Sequence, residues 1–224
     1  MGGIRFEALL EPLRGSDVLY DIGTDHARLP ILALERGYIR RAVAVDNKPL
    51  PLESARRHIA AAGLSDRIET VLAEGLDALT DTCDVAVTAG LGGRTIHKIF
   101  SGADTKGLTR FVFQPANRPE RVRDLCDEGF EIIDETLVED GGMDHIVIVC
   151  IKGRTALSAK ERLFGPILLK KKPLRYHAML LERSAHLKKL LEKMPAGENR
   201  RRFVEELTAV EEVLYEWQDD QNVL

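Results

Sequence analysis

The sequence predicts an α/β protein. It reads as a Rossmann-like, seven-stranded sheet, mostly parallel with a C-terminal antiparallel hairpin, followed by a coiled-coil-like helical hairpin. Three observations predict this. Short apolar runs alternate with helical patterns over residues 1–152, the mark of β–α units and a parallel sheet. Near residues 130–151, two β-runs follow each other with no room for a helix between them. After Lys152 the β-formers thin out and apolar residues recur at helical spacing. The expected domains are 1–153 for the sheet and 154–224 for the helices.

The elements follow in order. Val18–Ile22 reads as the first strand. Pro30–Arg36 reads as a helix, with Pro in its first turn and Gly37 at its end, the usual start and stop. Ala42–Asp46 is a strand, Leu52–Ala62 a helix stopped by Gly63, and Ile68–Leu72 a strand. Asp84–Ala89 is the next strand, followed by the permissive loop Gly90-Leu91-Gly92-Gly93 and a helix over Thr95–Phe100. Arg110–Gln114 is a strand, and Pro119–Asp127 a helix stopped by Gly129. Phe130–Val138 and His145–Ile151 form the hairpin. Five β–α units closed by such a hairpin describe the sheet of class I methyltransferases. Beyond it, helices over about 173–194 and 199–217 flank the turn Pro195-Ala196-Gly197-Glu198. Phe203, Leu207, Val210, Leu214 and Trp217 are spaced 4, 3, 4, 3, a coiled-coil-like seam. Tyr176, Leu180, Leu187, Leu191 and Met194 make a second seam, interrupted at Ser184, so the pair is expected to pack on itself.

Composition sets limits. The 224 residues are 44% hydrophobic and 30% charged, with a net charge of −4. Global charge gives no attraction to nucleic acid, so such a role must rest on local basic patches. Cys83, Cys126 and Cys150 are scattered without C-x-x-C, which fits reduced thiols in a cytoplasmic protein and no metal site. No leader and no apolar stretch of membrane-spanning length is present, so no membrane partner is expected.

The chemistry begins at Asp21-Ile22-Gly23-Thr24-Asp25-His26-Ala27-Arg28-Leu29-Pro30. Gly23-x-Asp25 lacks the second glycine of G-x-G-x-x-G, and Arg28 stands where the third would be. Carboxylates instead suit a ligand with an ammonium group and hydroxyls, such as S-adenosylmethionine (SAM). Asp21 and Gly23 would shape that loop. Asp46, with Asn47 beside it, ends the second strand and is placed to hold ribose hydroxyls. Glu74-Gly75 follows the third strand, where a cofactor adenine would sit; helix capping competes for Glu74. Gly90, Leu91 and Gly92 would let a ligand approach bare backbone. Asp25, His26 and Asn117 are the candidates nearest a transferred methyl group; a structural His and a turn Asn are the plainer alternatives. No Pro-Cys nucleophile follows the fourth strand, so no covalent route is offered. Arg28, Lys170, Lys171, Lys172, Arg175, Arg200, Arg201 and Arg202 are candidate RNA contacts, against a default of solvated surface.

These residues together resemble one family, the bacterial tRNA (adenine-22-N1)-methyltransferases. The resemblance covers nearly the whole chain. It rests on Asp21-Ile22-Gly23-x-Asp25-His26-Ala27-x-Leu29-Pro30, Ala89-Gly90-Leu91-Gly92-Gly93, Gln114-Pro115-x-Asn117 and Phe164-Gly165-Pro166 with Leu168-Leu169. It implies a SAM-dependent enzyme, releasing S-adenosylhomocysteine, with tRNA as partner and a helical domain that helps grip it. The chain departs from the family pattern at Ala73-Glu74-Gly75-Leu76, where Gly-Asp-Gly-Leu is usual, at Leu91 for Met, and at Asp46 for Glu. Two other readings stay open: a small-molecule SAM methyltransferase with a helical lid, and a degenerate SAM fold that binds RNA or protein. The oligomeric expectation is a monomer or weak homodimer.

Overall fold

The computed structural model describes residues 3–221. The chain divides into two compact units between Ile167 and Leu168, later than the change in composition at Lys152 suggests. In the first unit the elements run α1 (Ile4–Leu10), β1 (Val18–Ile22), α2 (Arg28–Glu35), β2 (Arg41–Asp46), α3 (Pro49–Ala61), β3 (Ile68–Leu72) and β4 (Val85–Ala89). They continue with α4 (Gly93–Phe100), β5 (Arg110–Gln114), α5 (Pro119–Arg123), β6 (Phe130–Asp140), β7 (Met143–Lys152) and α6 (Ala159–Phe164).

The seven strands form one sheet in the order β3-β2-β1-β4-β5-β7-β6. β1 to β5 pair in parallel, and β7 pairs antiparallel with both β5 and β6. The order reverses between β1 and β4, which opens the crevice where α/β sheets bind ligands. The β6–β7 turn is tighter than the sequence suggests. Asp140 pairs with Met143, and Gly141 and Gly142 both take positive φ (61° and 76°), as a two-residue hairpin turn requires.

Two differences from the expected elements matter. Residues 73–84, between β3 and β4, form turns with no regular helix, so the third of the five expected β–α units lacks its helix. Leu79 and Cys83 plug that face of the sheet instead. The chain also begins with a helix, α1, whose segment buries Leu9, Leu10 and Leu13.

Alternation along the strands splits the core into two layers. Leu19, Ala44, Val87 and Val112 face Leu9, Ala33 and Ile59 on one side. Tyr20, Val45, Phe111 and Phe113 face Ile96, Phe100 and Leu125 on the other. Phe100, Phe111, Phe113 and Phe130 meet mostly edge to face. All three cysteines are free and buried. Burial pushes the Cys126 thiol up to about 11, so it is inert at neutral pH.

Below the sheet's last strands lies a buried ion pair. Arg123 Nε donates to Glu135 Oε1 at 2.8 Å, with both side chains fully buried. Arg123 Nη1 donates to the carbonyls of Arg162 and Leu163, and the Ile167 N–H donates to Glu135 Oε2. The Phe164-Gly165-Pro166 motif closes over this pair. Gly165 has φ +91°, and a Cβ there would stand 2.4 Å from Glu135 Oε2. The motif noted in the sequence is therefore a lid on a buried charge.

The second unit contains α8 (Leu174–Lys193) and α9 (Glu198–Gln221), with most of α7 (Pro166–Lys171) before them. Tyr176, Leu180, Leu187 and Leu191 pack against Val210, Val213, Leu214 and Trp217, close to the expected seam. Val213 joins it, while Phe203 and Leu207 are only half-buried. The Tyr176 and Trp217 rings stand 6.0 Å apart, and Arg183–Glu206 and Lys188–Glu211 link the helices from outside.

Candidate active site

A cavity of about 1050 Å³ opens at the C-terminal ends of β1 to β4. Its wall takes Gly23 and Asp25 from the loop after β1, Asp46 to Lys48 from β2, Glu74 to Asp77 from β3, and Leu91, Arg94, Thr95, Lys98 and Ile99 from the β4–α4 segment. Each parallel strand delivers its last residue to the same edge, so strand-end acids far apart in sequence converge there.

Asp46 is half-buried, and its Oδ1 accepts the Lys48 N–H at 2.9 Å. That bond fixes the carboxylate and leaves Oδ2 facing solvent or ligand. Glu74 is exposed at the rim. Gly75 has φ +54°, and a Cβ there would press Ile99 at 3.2 Å. The Tyr20 hydroxyl donates to the Gly75 carbonyl at 3.2 Å, holding the turn from beneath. Burial pushes the Tyr20 hydroxyl up to about 12, so it stays a donor.

Asp21 is 4% exposed and sits behind the cavity wall. Burial pushes its carboxyl up to about 6; the Thr24 hydroxyl pulls it part of the way back, and the negative charge of Asp46 adds a smaller upward push. Gly23 has φ +77°, and a Cβ there would meet Leu91 Cδ2 at 3.3 Å across the β1/β4 switch. Asp25 and Ala27 both hold left-handed backbone, φ 41° and 54°. Such conformations cost non-glycine residues about 1–3 kcal/mol each and concentrate at functional loops. The consequence is directional. Asp25 stays in the cavity wall, but His26 turns toward α3. His26 Nδ1 lies 2.7 Å from Ser54 Oγ, its ring meets His58 edge-on, and its Nε2 lies 3.5 Å from Asp25 Oδ2.

The glycine loop after β4 does two things. Leu91 lines the cavity, but Gly90 and Gly92 are not in its wall. Gly93 N–H donates to the Asn117 carbonyl at 3.0 Å, and a Cβ at Gly93 would stand 2.2 Å from the Arg118 carbonyl oxygen. The closest approach there is chain against chain. Asn117 is exposed, with its side-chain amide beside Gly92.

The expected RNA contacts separate. The Arg28 guanidinium stacks on Phe6 at 4.9 Å. Arg175 pairs with Glu182, and Lys172 lies over the Trp217 ring. Lys170 and Arg200 to Arg202 are exposed. Lys170 to Lys172 stand where α8 begins, and Arg200 to Arg202 near the turn where it ends, so they occupy opposite ends of the hairpin. A helix of 20 residues separates them by about 30 Å. Sequence reasoning missed Arg94 and Lys98 in the cavity wall; their i, i+4 spacing just after the glycine loop was the available signal. Among the described residues no cluster of three metal-ligating side chains occurs, and no helix is long and apolar enough to cross a membrane.

A profile of the TrmK family, tRNA (adenine(22)-N(1))-methyltransferase, matches residues 19–215. The chain belongs to this family. It is 31% identical to the tRNA (adenine(22)-N(1))-methyltransferase of Bacillus subtilis over 179 residues, 75% of each chain. A candidate tRNA (m1A22) methyltransferase of Streptococcus pneumoniae, solved with SAM, is 33% identical, with a TM-score of 0.88 over 96% of this chain and 100% of that one. M. capricolum TrmK, solved with S-adenosylhomocysteine, shares the fold at 22% identity, TM-score 0.86, over 96% of this chain and 98% of that one. The cavity of this TrmK family member suits a SAM-type cofactor. Asp46 offers a fixed carboxylate with one oxygen open, Leu76 and Ile99 offer apolar surface, and Gly75 leaves room that a Cβ would fill.

Proposed function

We propose that the chain methylates N1 of adenine 22 in tRNA by direct, in-line transfer from SAM. The observation that carries this is the cavity at the sheet's switch point, with Asp25, Asp46 and Glu74 at the ends of its strands, in a chain of this family. Bound SAM supplies an electrophilic methyl group. Asp46 holds ribose hydroxyls through its open oxygen, Glu74 reaches the adenine amino group of the cofactor, and Leu76 and Ile99 cover the ring. Gly23 and Leu91 shape the floor, with Gly90 and Gly92 setting the backbone of that loop. Asp21 supports the loop from behind, and Asn47 flanks Asp46.

N1 carries its own lone pair, so no base must act before attack. The product ring is cationic, and Asp25 is the carboxylate placed to stabilise that charge. His26 works through Asp25, against which its Nε2 rests. Asn117 orients the incoming base. Because N1 lies on the pairing edge, the adenine must be splayed out first. Alignment in a dry site supplies the larger part of the acceleration, up to about 7–11 kcal/mol in favourable systems. Lys170 to Lys172 and Arg200 to Arg202 grip the RNA backbone, so binding weakens with salt. The reaction belongs in the cytoplasm, with the chain acting as a monomer or weak homodimer.

Incubation with labelled SAM and unmodified tRNA, followed by nucleoside mass spectrometry, tests the reading. Absence of 1-methyladenosine would sink it. The tail is tested by a chain ending at Ile167. A cut at Lys152 would strip Arg123 and Glu135 of their partners at Arg162, Leu163 and Ile167, confusing misfolding with lost RNA contact.

A further inference from the structure

Arg5 enters the sheet's C-terminal edge from α1. Its Nε donates to Gln114 Oε1 at 2.8 Å. Gln114 ends β5 and is 2% exposed. Its own Nε2 donates to the Pro115 carbonyl at 3.1 Å, so the amide is locked with its oxygen toward Arg5. Arg5 Nη2 lies 3.6 Å from where a Cβ of Gly90 would stand, at the end of β4. A buried side chain thus holds the guanidinium at the end of β4, next to the glycine loop whose Leu91 lines the cavity, though Arg5 is not itself in the cavity wall.

Three features separate this from a structural strut. The acceptor is neutral, so the charge of Arg5 is not cancelled. Arg56, Arg67 and Arg110 also donate to neutral oxygens, but Arg5 alone of these four is held by a buried side-chain amide at the sheet's C-terminal edge. Holding Nε leaves the Nη1–Nη2 edge, which suits two oxygens of one anion. The N-terminal segment is also anchored without Arg5, through buried Leu9, Leu10 and Leu13 and the Glu7–Arg36 pair.

We infer that Arg5, positioned by Gln114, is an oxyanion anchor of the active site. The inference rests on the methyl transfer proposed above. The oxyanion is either a tRNA phosphate beside the target adenosine or the carboxylate of SAM's methionine moiety. Gly90, at φ +83°, follows β4, and a Cβ there would stand at ordinary contact distance from the guanidinium.

The test uses the full chain with unmodified tRNA and SAM, reading tRNA affinity against salt, SAM affinity by calorimetry, 1-methyladenosine formation and thermal melting. R5Q should weaken one ligand roughly tenfold, the value of a charge-assisted hydrogen-bond pair. Loss on tRNA, with the salt slope reduced by about 1, assigns a phosphate. Loss on SAM alone assigns the carboxylate. R5K keeps the charge but not the fork, and should restore the salt slope without the affinity. Q114E sets a carboxylate against the guanidinium and should reproduce the R5Q loss with Arg5 still present, whereas a strut would be strengthened. If R5Q leaves both affinities within twofold, the inference is overturned whatever happens to melting, and R5Q and R5K decide alone should Q114E fail to fold. An inactive wild type would instead count against the methylation reading itself.

Discussion

Two buried charges in the first unit make opposite bargains. Arg123 and Glu135 are sealed together, each cancelling the other, with three backbone groups bound to them and Arg123 Nη2 left without an acceptor among the described residues. Asp21 is equally buried but sits near a like charge, Asp46, and its carboxyl is pushed up to about 6. The first arrangement fastens α5, β6 and the Phe164-Gly165-Pro166 turn to each other. The second leaves negative potential behind a cavity meant for a ligand with a cationic centre. Burial against an opposite charge marks architecture here, and burial beside a like charge, eased only by the Thr24 hydroxyl, lies behind the cavity.

The contrast can be broken by mutation. Glu135→Ala removes one partner and leaves Arg123 charged in the core, so urea denaturation should register a loss of about 3–5 kcal/mol. A loss below about 1 kcal/mol would mean that water reaches the pair. Asp21→Asn goes the other way. A carboxyl raised from 3.8 to about 6 is protonated more readily in the folded state, so wild-type stability falls as pH rises from about 4 to 6. The Asn variant lacks that slope. At pH 7.5 it should be more stable than wild type by up to about 3 kcal/mol, with the advantage gone below pH 4, while SAM binding weakens. Equal stability across that range would refute the raised carboxyl.

Gly165→Ala sharpens the first arm alone. Its Cβ would press on Glu135 at a φ of +91°, and a cost of about 2 kcal/mol is expected, with SAM affinity unchanged in the folded fraction. The smallest effect belongs to the tail. Arg200→Ala should weaken tRNA binding less than tenfold and lower the salt slope by about 1. It should also steady α9 by a few tenths of a kcal/mol, because a cation in the first turn opposes the helix dipole.

Much of this was legible in the sequence. The strands announce themselves as apolar runs, and Asp46 and Glu74 could be placed because parallel strands end on one edge. The helix α1 also had a signal, since Phe6, Leu9, Leu10 and Leu13 fall on one helical face. The missing helix between β3 and β4 was harder, because turn-forming and helical residues mix over 73–84. Side-chain direction was out of reach. Nothing local in Asp25-His26 says that two left-handed residues will turn the imidazole toward Ser54 and leave the carboxylate at the cavity. Arg5 lies 109 positions from Gln114, and only the assembled sheet brings them together. The two basic clusters of the tail appear in sequence simply as candidate RNA contacts, while an antiparallel hairpin sets them at its two ends.

That last separation makes the hairpin a caliper. Under the proposed RNA contacts, two cationic jaws about 30 Å apart, joined by stiff helices, would respond to the distance between phosphates and not to the bases between them. A folded RNA with the right span would then close both jaws at once and gain the advantage of linked contacts, whereas an unfolded strand of the same sequence would close one at a time.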